Sequence, residues 1–387
     1  MNIKQVESMY QHILSNRTTT YFSPGRINII GEHIDYLGGN VFPSAISLGT
    51  YGIVSKRSDR IFTFTSHNFP DNGTISISLD DLSYKEMDGW VNYPKGMIQT
   101  YKEFIPHGLD IVIYGTLPNS SGLSSSASLE VLIGYILKIE FNINITNLDI
   151  VLASKEVENN YIGVNCGIMD QFSIGMAKEN HAIYLNTETL EYKQVPLILG
   201  DYKLIIANTN KQRSLSDSKY NERVRECNEA LSIISKSKQL NELCDLEIKD
   251  LNQIQKDLPH ILYNRVEHAV TENQRTKQAV RHLQNNNIVE LGELLYESHN
   301  SLRDLYEVSC LELDTLVDAF KEIGAVGSRM IGAGFGGCTL AIIHKDKIEE
   351  TINYVSKKYK GKIGYNADIY IVHPSGGPKI IKEGETL

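Results

Sequence analysis

Residues 117–127 read Leu117-Pro118-Asn119-Ser120-Ser121-Gly122-Leu123-Ser124-Ser125-Ser126-Ala127. The stretch before them, 110–114, is β-type, and the stretch after, 124–141, spaces its apolar residues as a buried helix does. A loop of small residues between a strand and a helix aims several backbone N–H groups, and the positive end of the helix dipole, at one point. Phosphate fits that point, and a serine hydroxyl there can also ligate Mg²⁺. A serine-rich helix cap is the plainer alternative. The pattern G-x-x-x-x-G-K-[ST] is absent, which sets the loop apart from P-loop nucleotidases.

Outward from this loop, residues 61–65 and 75–79 have strand character, the second with clean period-2 alternation. Residues 181–185 and 203–207 look the same. Thr146-Asn147-Leu148-Asp149 has the form of a capping box and opens a helix reaching about residue 161. From 216 to 302 the chain is polar and helix-rich, with Gly292 its only glycine and helices expected at 217–234 and 265–283. A helix at 312–323, a glycine-rich loop at 324–337, a strand at 338–344, a helix near 347–358 and a strand at 368–372 follow. The composition shifts near residue 200. These features predict an α+β chain of two lobes, 1–200 and 201–387.

Charge and cysteine usage narrow the class. The 387 residues carry 38 Lys plus Arg against 47 Asp plus Glu, a net charge of −9. A binder of long nucleic acid draws its affinity from a basic face, and no basic block is present. The apolar runs are too short to span a bilayer, and the first residues lack a signal-peptide core. Cys166, Cys227, Cys244, Cys310 and Cys338 form no C-x-x-C pair, so neither a zinc site nor a disulfide framework is indicated. A cytoplasmic protein with no membrane and no nucleic-acid partner is expected.

Three further segments carry chemistry. Residues 24–39 set Arg26, Glu32, His33 and Asp35 between glycines. Carboxylates accept hydrogen bonds from sugar hydroxyls, and an arginine stabilises a transferring phosphoryl group. A solvated turn with incidental ion pairs is the other reading. Asp170 stands among apolar neighbours in Ile168-Met169-Asp170-Gln171-Phe172, as a general base does and as a helix cap also does. Gly332-Ala333-Gly334-Phe335-Gly336-Gly337 matches G-x-G-x-x-G, but β-type residues follow it where a dinucleotide site needs a helix. His12, His67, His107, His260 and the remaining histidines show no recognisable partners and read as structural or surface residues. Trp90, the single tryptophan, fits the core or, less commonly, a purine stacking platform.

Taken together, residues 25–39, 117–128 and 328–339 resemble the three motifs of the galactokinase family within the GHMP small-molecule kinase superfamily. Residues 166–171, 268–275 and 301–313 also look like blocks of that family, in the expected order. The resemblance implies an N-terminal lobe like ribosomal protein S5, a ferredoxin-like C-terminal lobe, and an active site between them. It implies transfer of the ATP γ-phosphate to the C1 hydroxyl of α-D-galactose, the first committed step of galactose catabolism by the Leloir pathway. Carried over by position, Asp170 would be the base and Arg26 would steady both the base and the phosphoryl group. Glu32, His33, Asp35, Gly167 and Tyr220 would hold the sugar. Ser66, Trp90, Ser120, Ser121, Gly122, Leu123, Ser124, Ser125 and Ser126 would meet ATP, and Ser126 and Glu158 would ligate Mg²⁺. Ser120 stands where the family commonly has glycine, and Ile331 where Thr or Ser is usual. The resemblance leaves open a kinase for N-acetylgalactosamine, a non-catalytic sugar and ATP sensor, and the oligomeric state, a monomer being compatible with it.

Overall fold

The polar, glycine-bracketed segment around Arg26 begins as a strand, not as a turn. The computed structural model describes residues 3–15, 17–118, 122–164, 166–211 and 216–382. Its strands open with β1 (Thr19–Asn28), β2 (Asn40–Val41), β3 (Pro43–Lys56), β4 (Ile61–Ser66), β5 (Thr74–Ser78) and β6 (Leu109–Gly115). Then come β7 (His181–Asn186), β8 (Tyr192–Pro196) and β9 (Tyr202–Asn208). The chain closes with β10 (Gly327–Ile331), β11 (Cys338–His344), β12 (Asp368–Val372) and β13 (Lys379–Ile380).

The first sheet has six strands in the order β13-β1-β3-β6-β4-β5, with β4 and β6 parallel and its other pairs antiparallel. Its register shifts between Pro24 and Gly25, a bulge that re-aims the strand just before Arg26. Helix Ser125–Glu140 packs on this sheet, and its Leu132, Ile133 and Ile136 share a core with Phe62, Phe64 and Ile111. The capping box at Thr146 and Asp149 is formed, and the helix it opens, Asn147–Glu156, runs on into a π-helical turn, Val157–Ile162. That turn carries Glu158, and π-turns recur at functional sites.

The second sheet has the order β10-β11-β9-β12 and is antiparallel throughout. Its path of strand, helices, two strands, helix and strand is ferredoxin-like. Helices Leu311–Glu322 and Ile348–Ile363 cover one face, through Leu316, Phe320, Val355 and Tyr359. The other face brings Ile206, Leu340 and Ile342 into one core with Ile27, Ile29 and Phe42 of the first lobe. The two lobes therefore share apolar packing, and the chain end returns to the first sheet as β13.

The glycine-rich loop expected at 324–337 is corrected: residues 327–331 form the buried strand β10. The helix expected at 265–283 begins earlier, as His260–Gln284. Among the described residues no helix is long and apolar enough to cross a membrane.

Candidate active site

A cavity of about 460 Å³ opens between the lobes, within the range of small-molecule sites. Arg26, Glu32, His33, Asp35, Gly167, Asp170 and Tyr220 all line it, so the residues expected to work on the sugar meet in one place. Cys166, Gly332 and Ala333 complete much of the wall.

Asp170 sits in the first turn of helix Met169–Gly175 and is held from two sides. Arg26 Nε donates to its Oδ1 at 2.8 Å, with Nη2 of the same guanidinium also 2.8 Å from that oxygen. Ser124 Oγ donates to its Oδ2. The third arm of Arg26, Nη1, donates to the Gly122 carbonyl at 2.8 Å. One guanidinium on β1 thus ties the carboxylate to the serine-rich loop. Burial works against its charge, yet Asp170, Glu32 and Asp35 outweigh burial and raise the Arg26 pKa.

On the side expected to meet the sugar, Glu32 is 3 % exposed. Its Oε2 accepts from Arg329 Nη2 at 2.5 Å and from the Gly332 N–H at 3.1 Å. Burial raises its carboxyl pKa, against the pull of Arg329 and Arg26. Asp35 is pushed up to about 7, first by burial and then by the charges of Asp170 and Glu32. A Cβ at Gly167 would stand 2.1 Å from Asp35 Oδ2, so a larger residue there would push this carboxylate aside. His33 occupies left-handed backbone (φ 61°), and burial lowers its imidazole pKa to about 3. The Tyr220 ring, on helix Ser216–Ile234, lies 5.7 Å from the His33 ring.

The phosphate side is built differently. Ser124, itself left-handed (φ 60°), precedes helix Ser125–Glu140 without capping it by its side chain, because its hydroxyl faces Asp170. The first N–H groups of that helix lack intrahelical partners by construction and suit an anion. Ser126 Oγ donates to Glu158 Oε1 at 3.0 Å. Burial, then the charge of Asp170, raises the Glu158 carboxyl pKa. Leu123 is buried, whereas Ser125 is exposed at the helix start. Ser66 ends β4 beside Ile113 of β6, the strand that feeds the loop. Trp90 stands edge-on to Phe64 of β4, and its buried Nε1–H has no partner among the described residues. Ser120 and Ser121 lie outside the described residues.

Several residues that hold the site escaped the sequence reading. Helix His260–Gln284 grips the sugar segment by its backbone: Glu272 Oε1 accepts from the N–H groups of Gly31 and Glu32, and His268 Nε2 donates to the Glu32 carbonyl at 3.1 Å. Burial would raise the Glu272 pKa, but Arg275 and His268 bring it down to about 2. His268 has buried partners on both nitrogens, so the structural-or-surface reading of the histidines holds for it only as an interior clasp. Its i, i+4 spacing with Glu272 on one helix face was the available signal. Arg329 gave none, being a lone charge in a stretch expected to be a glycine-rich loop.

A two-lobed fold with an anion-suited helix start beside a fixed carboxylate is the arrangement of a small-molecule kinase, and the matches give it a class. Residues 92–178 match the family GHMP kinases N terminal domain, and residues 278–361 match GHMP kinases C terminal. Residues 8–56, which include Arg26 and the acids after it, match the galactokinase galactose-binding signature. A galactokinase of Clostridium acetobutylicum is 49% identical over 98% of this chain and 99% of its own length, and one of Clostridium beijerinckii 47% identical over the same shares. The Lactococcus lactis galactokinase solved in complex with galactose shares the fold with a TM-score of 0.94 at 41% identity, covering 98% of this chain and 100% of that one. The Methanococcus jannaschii mevalonate kinase, at 18% identity and a TM-score of 0.71, shares the fold over 94% of this chain and 99% of its own. The chain belongs to the galactokinase family.

Proposed function

We propose that this enzyme transfers the γ-phosphate of ATP to the C1 hydroxyl of α-D-galactose, with Asp170 as the general base. The supporting observation is the double attachment of Asp170, to Arg26 on the sugar side and to Ser124 on the phosphate side. A base at that seam is within reach of a hydroxyl that must face both. Asp170 takes the C1 hydroxyl proton, the oxygen forms its bond to the γ-phosphorus, and the bond from phosphorus to the ADP oxygen breaks. Such a transfer needs positioning and charge stabilisation more than covalent chemistry. Arg26, held charged beside the base, supplies part of that stabilisation.

Glu32, His33, Asp35, Gly167 and Tyr220 hold the sugar, and Ser66, Trp90 and residues 120–126 hold the nucleotide. The Ser126 hydroxyl and the Glu158 carboxylate, 3.0 Å apart, are hard oxygen donors suited to Mg²⁺. Among the described residues no group of three or more His, Cys, Asp or Glu could cage a metal. Two protein oxygens with phosphate and water completing the shell is the usual way Mg²⁺ is bound. Once bound, the ion neutralises phosphate charge. The lobe 1–200, to whose sheet the chain end adds β13, and the lobe that begins at 201 act as units around this cavity, in a cytoplasmic setting.

The test is a panel of galactose, 2-deoxygalactose, N-acetylgalactosamine, glucose and arabinose with ATP, scored by ADP release and by the position phosphorylated. Galactose phosphorylated at C1 is the expected best result. Preference for N-acetylgalactosamine, or phosphorylation at another hydroxyl, sinks the reading.

A further inference from the structure

His33 is held by an uninterrupted chain of hydrogen bonds that joins both ends of the sequence. Its Nε2 lies 3.2 Å from the Ala333 carbonyl and its Nδ1 2.8 Å from the Tyr36 hydroxyl. Tyr36 Oη is 2.9 Å from Tyr306 Oη, which in turn is 3.2 Å from Cys227 Sγ. The polarity of the chain follows from its first link. A carbonyl only accepts, so Nε2 must carry the proton. Burial keeps the imidazole neutral, its pKa lowered to about 3, so Nδ1 is then a bare acceptor. Tyr36 therefore donates to His33, Tyr306 donates to Tyr36, and Cys227 donates to Tyr306. Each hydroxyl has one proton, and each is spent in one direction.

The Tyr306 ring is also wedged between two imidazoles, with centroids 5.0 Å from His33 and 4.5 Å from His268. Its carbonyl accepts from Arg223 Nε at 2.8 Å, on the helix that carries Tyr220 and Cys227. The strained backbone of His33, left-handed at φ 61°, persists only where its surroundings over-determine it. The chain and the tilted ring contacts are such surroundings.

We propose that Tyr36 and Tyr306 are positioning residues that keep His33 as its Nε2–H tautomer when a sugar oxygen draws that N–H from the Ala333 carbonyl, so that the imidazole offers the sugar a single donor and no acceptor. This rests on the reading that His33 faces the sugar. On binding, a sugar oxygen shares or takes the Nε2–H from the Ala333 carbonyl. A sugar hydroxyl that must itself donate at that point is refused.

The experiment combines ring-¹⁵N spectroscopy of histidine-labelled protein with kinetics of Tyr36→Phe and Tyr306→Phe, the His33 signals being assigned by their loss in His33→Gln. The wild type should show the Nε2–H pattern near neutral pH. With galactose bound, Tyr36→Phe should shift His33 towards a tautomer mixture and raise the galactose KM about tenfold, the worth of one buried hydrogen bond, with the ATP KM unchanged. Tyr306→Phe, which keeps the tilted ring contacts and removes the next donor, should move both readouts the same way by less. Tyr36→Phe should also lose its discrimination against the one monodeoxygalactose that the wild type rejects through His33. An unchanged tautomer in both galactose-bound variants, or an Nδ1–H wild type, overturns the proposal. An Nε2–H wild type whose His33→Gln variant keeps a normal galactose KM removes the sugar reading of His33 instead.

Discussion

The two sides of the cavity solve opposite problems. On the side proposed for the sugar, an uncharged ligand would be met by buried charges and hydroxyls already fastened elsewhere: Glu32 to Arg329, the Glu32 backbone to Glu272 and His268, and His33 to Tyr36. On the side proposed for phosphate, an anion would be met by a helix start with no side-chain cap and by the Ser126–Glu158 pair. Selecting a polyol demands fixed donors and acceptors, which takes a second layer of partners. Holding a phosphate chain demands available N–H groups and oxygen donors, which a short loop supplies by itself. Rigidity is concentrated where discrimination is needed.

Asp170 joins the sides, so its removal is the sharpest way to break the comparison. Asp170→Ala should lower kcat by about 10²–10⁴-fold, the usual worth of a general base. Galactose should still bind, measured by calorimetry, because the sugar-side partners of Glu32 do not include Asp170. Turnover near the wild-type rate removes Asp170 from its role.

A matched pair of variants separates the two layers. Arg329→Met leaves the Glu32 carboxylate buried without its guanidinium, and breaking such a pair costs about 3–5 kcal/mol. The protein should melt well below the wild type, and Glu32→Gln in the same chain should recover much of the loss. Ser126→Ala should leave the melting temperature nearly unchanged while raising the Mg²⁺ and ATP concentrations needed for half-maximal rate. If both variants melt alike, the sugar side is no more tightly built than the phosphate side.

The same contrast explains what the sequence disclosed. The strand and helix that flank the small-residue loop were legible because their signals are local: a β-type run before the loop and helical apolar spacing after it. Strands β4 and β12 were legible from their composition, period-2 alternation or apolar content. β3 was not, since Gly49 interrupts it; a Cβ there would stand 2.2 Å from the Ser23 carbonyl oxygen, so close strand pairing demands the glycine. β10 was hidden because Gly324, Gly327 and the glycines from 332 to 337 made the whole stretch read as a glycine-rich loop. Arg329 is interior only because Glu32, 297 residues away, is its partner. Tyr306 sat in the resembling block 301–313, and its hydroxyl chain closes only in three dimensions. The groups behind the cavity wall lay inside stretches marked by resemblance, but no role attached to them, because a supporting contact is defined by a partner far away in the chain.

The smallest expected effect concerns Asp35, and its two readouts carry opposite signs. Its carboxyl is raised from 3.8 to about 7 in the folded protein, by burial and by Asp170 and Glu32. Between those values the folded chain keeps a proton that the unfolded chain has released, so stability is full at the acid end and falls as pH rises towards 7. Asp35→Asn cannot ionise, so the stability difference from the wild type should move in the variant's favour from pH 5 to pH 8 in thermal melts. A sugar hydroxyl that donates to Asp35 prefers the ionised form, so galactose affinity should instead rise with pH from 6 to 8, roughly twofold, since the carboxyl lines an open cavity and solvent weakens the effect. Asp35→Asn should flatten that rise. One carboxylate would then weaken the fold over the same pH range in which it strengthens the grip on the sugar, which is what a group kept for binding at the expense of stability should do. Affinity that falls with pH in the wild type and not in the variant would mean that Asp35 serves the sugar as a protonated donor.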